Sequence, residues 1–155
     1  MTDKPVIPDN VRGAMPVFYI AAVCFLSSLS AGLAALTLWL MSRGFIMVYG
    51  NMQYPARAHI YNSAELAFLA ATLGLGHYYI ARFFKLFMTE PKGIALAWTV
   101  SGAIIALMAF RSAAHTVFSP SALAALPIIA AFLIGGHAGW HSPDDKNPFA
   151  KHLRK

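Results

Sequence analysis

From Met15 to Met41 the chain carries no charged residue at all. A helix over that stretch would be about 40 Å long at roughly 1.5 Å per residue. The hydrocarbon core of a bilayer takes roughly 20 apolar residues. A run of this length and character is too long for a signal-peptide core, and no convincing cleavage site follows it, so it reads as a retained membrane span. Three further apolar runs follow: Asn62 to about Ala81, Ile94 to about Val117, and Ser121 to Trp140. The fold class predicted is therefore all-α: a polytopic membrane protein with four transmembrane helices in one bundle.

Composition supports this. The 155 residues are 58% hydrophobic and 12% charged, against about 25% charged in ordinary soluble domains. The net charge of +6 is no sign of nucleic-acid binding, because the basic residues flank apolar runs and form no single stripe. Cys24 is alone, which excludes an internal disulfide or a thiolate cluster; it reads as a small core residue. Phosphate-binding glycine loops, CxxC, HExxH and nucleophile elbows are all missing from the sequence.

The predicted organisation is residues 1–14 as a cytoplasmic segment, 15–140 as the transmembrane domain, and 141–155 as a basic cytoplasmic tail. Between the first two spans, Ser42 to Tyr61 holds Gly44, Gly50, Pro55 and three tyrosines. It reads as an interfacial loop or short surface helix. Thr89-Glu90-Pro91-Lys92-Gly93 and Ser119-Pro120 are turns, and Pro127 is a potential kink in the fourth span. Lys4, Arg12, Arg82, Lys85, Lys92, Lys146, Lys151, Arg154 and Lys155 fall on one side of this topology; Arg43, Arg57 and Arg111 fall on the other. The positive-inside rule then places both termini in the cytoplasm, in a membrane of the bacterial inner-membrane type.

Two glycine-flanked histidines carry the sharpest chemical expectation: Gly74-Leu75-Gly76-His77 and Gly135-Gly136-His137-Ala138-Gly139. Histidine in hydrocarbon is costly and requires a partner. Both lie near the cytoplasmic ends of spans two and four, which run in the same direction. Two imidazoles at one depth could ligate the iron of a b-haem axially, with Gly76 and Gly136 making room beside the ring. The same residues could instead be structural, donating to a backbone carbonyl or a serine on a neighbouring helix. His137 and His141, spaced i and i+4, could chelate a metal.

On the opposite side lie Glu65, Arg111 and His115. They form a possible polar cluster, with an interhelical Glu65–Arg111 ion pair, able to meet a quinone carbonyl, relay protons or receive a partner subunit. Tyr78, Tyr79, Phe83, Phe84 and Phe87 could wall a cofactor or a quinone ring, or form an interfacial aromatic belt.

Arg57-Ala58-His59, Asn62 and Glu65 loosely resemble the signature of the membrane-associated eicosanoid and glutathione metabolism family. That resemblance implies a four-span, glutathione-dependent enzyme. The gap before Asn62 is one residue longer than the family's pattern. The paired Gly-His motif is similar in ligand geometry to b-haem anchor subunits of respiratory complexes. The leading expectation is a small membrane subunit of a larger inner-membrane complex, in contact with lipid and other membrane subunits, and holding a b-haem for electron transfer in its sharpest form. A glutathione-dependent enzyme and a minor transporter or channel subunit are the alternatives.

Overall fold

A computed structural model describes residues 8–48, 54–114, 125–143 and 148–149. Within them the protein is all-helical: α1 (Asp9–Val48), α2 (Tyr54–Phe84), α3 (Pro91–Ala114) and α4 (Leu126–His141). Two helices are long and apolar enough to cross a membrane, over Val11–Met41 and Pro91–Arg111. Only 28% and 22% of their most apolar windows are buried inside the protein, unlike the core helix of a water-soluble domain. Their outward faces carry Val17, Phe25, Leu29, Leu36 and Trp39 on α1, and Leu96, Leu107 and Phe110 on α3. α2 begins with a polar stretch, and α4 is apolar but only 16 residues long.

Element boundaries differ from the sequence expectation in two places. The segment 42–61, expected as an interfacial loop or short surface helix, belongs in its described residues to the two flanking helices. α1 continues through Arg43 and Gly44 to Val48, and α2 already starts at Tyr54. An apolar Phe45-Ile46-Met47-Val48 after Gly44 lets the helix propagate, since one glycine costs only about 1 kcal/mol. Pro127 does not kink the fourth helix; it stands in its first turn, where a missing N–H costs nothing. The Ser119-Pro120 hairpin lies outside the described residues.

The core follows from burial at every third or fourth residue. On α3, Ala97, Ser101, Ile105 and Ala109 are buried; on α2, Leu69, Leu73, His77, Ala81 and Phe84; on α4, Ile128, Phe132, Gly136 and Gly139. These are the i±4 ridges by which helices interlock. α2 and α4 share the most extensive contact, while α1 packs on α2 and α3, and α3 packs more lightly on α4. The cyclic order is therefore α1–α2–α4–α3, and α2 and α3 face each other across the bundle.

Glycine explains the intimacy of α2 and α4. A Cβ on Gly74 would lie 2.9 Å from the carbonyl oxygen of Ala131. One on Gly135 would overlap the backbone of Gly74, and one on Gly139 the backbone of Tyr78. Ala131, Gly135 and Gly139 thus form one small-residue stripe at four-residue spacing, which lets helices approach closely in lipid. The matched pairs Gly74–Gly135 and Tyr78–Gly139 also show that the two helices run parallel.

Candidate functional site

His77 is fully buried, at 0% exposure, and meets residues from every other helix. Its Nδ1 lies 2.7 Å from the carbonyl oxygen of Phe132 on α4. A carbonyl only accepts, so Nδ1 carries the proton. In a neutral imidazole Nε2 is then the acceptor, and the Tyr19 hydroxyl on α1 donates to it. The ring stacks on Phe132 with centroids 3.7 Å apart and planes inclined by 7°. Trp98 of α3 stands 5.3 Å away by centroids, and Tyr19 packs edge-on against Phe84 at 5.3 Å. Gly136 is what admits the imidazole: a Cβ there would fall on the His77 ring.

Other hydroxyls in these helices close on their own backbones. Ser27 donates to the carbonyl of Val23 at 2.8 Å and Thr72 to that of Phe68 at 2.9 Å, the usual refuge of hydroxyls in a helix interior. On α3, Trp98 Nε1 and Ser101 Oγ are buried with no hydrogen-bond partner.

The two Gly-His histidines lie at one level but are not brought together. Gly136 touches His77, so His137, about 100° further round the helix, turns away from α2 and is exposed. Its ring lies 4.3 Å from that of His141, also exposed. Among the described residues no third His, Cys, Asp or Glu joins them in a group that could hold a metal. An axial haem ligand must offer the iron a free nitrogen lone pair. Nε2 of His77 is engaged by Tyr19, Nδ1 is protonated toward Phe132, and Gly136 is filled by the imidazole itself. Gly76, the other glycine expected to make room, instead faces Leu26 of α1. These residues do not fit a haem ligated by His77 and His137.

Of the polar cluster at the other end, the structure describes Glu65 and Arg111 and does not pair them. Glu65 is half-buried on α2 and Arg111 is exposed in the last turn of α3. α2 and α3 lie across the bundle from one another, and among the described residues no ion pair joins Glu65 to Arg111. His115 lies outside the described residues, as do the side chains of Arg57, His59 and Asn62.

Sequence reasoning missed three residues that matter here. Tyr19 had no signal beyond being a tyrosine inside an apolar run. Arg82 and Lys85 read only as topology markers, yet they tie α2 to the end of α4. Arg82 donates to the Pro143 carbonyl at 3.3 Å and to the Tyr78 hydroxyl at 2.9 Å; Lys85 donates to the Ser142 carbonyl at 2.9 Å. Cations at a helix C-terminus answer its unpaired carbonyls and dipole. Comparison with protein families, with curated proteins and with solved structures returns no match.

Proposed function

We propose that the chain is a small multi-pass membrane subunit, non-catalytic, that serves as a structural or anchoring part of a larger inner-membrane assembly with both termini in the cytoplasm. The observation that carries this reading is the closed state of its most distinctive polar centre. His77 spends one nitrogen on α1 and the other on α4, so its chemistry goes into holding helices together. The apolar faces of α1 and α3 remain outward, available to lipid and to neighbouring subunits. Electron transfer through a haem on His77 and His137 is not part of the proposal.

The test is isolation of the tagged chain from native membranes in mild detergent. Fixed partners in constant ratio, lost when Leu36 and Trp39 on the outer face of α1 are changed to alanine, are the expected result. A chain that purifies alone from crosslinked native membranes overturns the subunit reading.

A further inference from the structure

A groove of about 560 Å³ lies between the start of α1 and the end of α2, lined by Met15, Phe18, Ala22, Tyr79, Ile80, Phe83, Phe84 and Phe149. Its volume falls within the roughly 300–1,000 Å³ range of ligand sites. The lining is aliphatic and aromatic, with the Tyr79 hydroxyl its one polar side-chain group. It opens sideways, and three of its rings, Phe18, Tyr79 and Phe83, are 54%, 46% and 37% exposed. Phe149, from the segment beyond α4, meets Phe83 edge-on at 5.4 Å and joins the lining.

We infer that this groove holds one acyl chain of an anionic phospholipid, whose phosphate sits among the cations at this end of the bundle. The lining has a single polar side-chain group, the Tyr79 hydroxyl, which argues for a hydrocarbon chain over a quinone ring, whose two carbonyls would need more donors than that. Charge argues for an anionic headgroup. Arg12 stands one turn before Met15; Arg82 and Lys85, at and just past the end of α2, add positive charge while their side chains also hold the carbonyls of Pro143 and Ser142. Lys92 is exposed at the start of α3, beside Gly93, whose Cβ would lie 3.0 Å from Pro16. Clustered Lys and Arg at a membrane surface attract acidic lipid. The groove runs from Met15 to Ala22, about 10 Å along α1, so the chain would point inward from headgroup level.

The inference rests on the membrane reading of the protein, and the test separates the two. Protein purified in detergent is mixed with equal phosphatidylglycerol and phosphatidylcholine, and retained lipid is counted by native mass spectrometry. Selective retention of phosphatidylglycerol is expected, lost in Ala22→Phe, which fills the groove from its floor. In Arg12→Gln with Lys92→Gln the selectivity is expected to fall, by roughly fivefold per cation removed. This charge variant leaves the groove intact, so the test stands if Ala22→Phe does not fold. Equal retention of both lipids, selectivity that survives both changes, or displacement by a short-chain quinone or an apolar peptide with no effect of charge would each overturn the inference. Failure of the membrane reading shows separately, as protein that is monodisperse in buffer without detergent.

Discussion

The contact between Tyr19 and His77 lends itself to a double-mutant cycle with a change of sign. Tyr19→Phe keeps the ring against Phe84 and removes only the hydroxyl that donates to Nε2. The imidazole lone pair is then buried and unpaired, because Nδ1 must keep its proton for Phe132. An orphaned buried acceptor costs about 1–3 kcal/mol, and interhelical hydrogen bonds measured in a bilayer protein average about 0.6 kcal/mol and reach at most about 1.7 kcal/mol. A loss of about 1–1.5 kcal/mol, roughly a tenfold shift in the unfolding equilibrium, is expected. His77→Phe retains a flat ring for stacking on Phe132 but strands the Tyr19 hydroxyl. In that background Tyr19→Phe removes the stranded group, so it should be neutral or stabilising. Unfolding in mixed micelles with rising denaturing detergent, followed by helical circular dichroism, supplies the four free energies. The reasoning is refuted if Tyr19→Phe costs the same with and without His77.

Three other measurements bear on the same structure. Gly139→Ala should weaken the fold by several kcal/mol or abolish it, since its methyl would strike the Tyr78 backbone. Gly32→Ala, with open space around it, should be neutral or stabilising by up to about 1 kcal/mol; equal effects in the same unfolding assay would contradict the proposed packing. Ser101→Ala should stabilise slightly or change nothing, because the hydroxyl it deletes is buried without a partner; a loss above about 1 kcal/mol would reveal an interaction made by that hydroxyl. Finally, protein from haem-replete cells should show no Soret band that depends on His137, and His137→Ala should match the parent in stability. A band abolished by His137→Ala would refute the placement of that side chain.

How far the sequence could be read depends on the kind of geometry asked for. Depth along a helix follows from counting residues, and Gly136, the neighbour of His137, does lie against His77. Azimuth does not follow from depth. One residue turns the helix by about 100°, and the glycine, not the histidine, is the residue that faces α2. The deciding pattern, Ala131-xxx-Gly135-xxx-Gly139, is legible in the sequence as a small-residue stripe. The Glu65–Arg111 pairing required the order of helices around the bundle, which span counting cannot supply. Gly44 suggested a break that the apolar residues after it override. Tyr19 was beyond reach, because its role depends on a contact 58 positions away.

The two hydrogen bonds of His77 also impose an order on assembly. The donor to Nε2, the Tyr19 hydroxyl, is present from the outset, because it lies on the first helix. The acceptor for Nδ1–H is a carbonyl on the last. A nascent chain carrying only α1 to α3 would therefore hold an uncapped imidazole N–H among apolar side chains, beside the unfilled face left by Gly74. Arrival of α4 satisfies the proton and closes that face in one event.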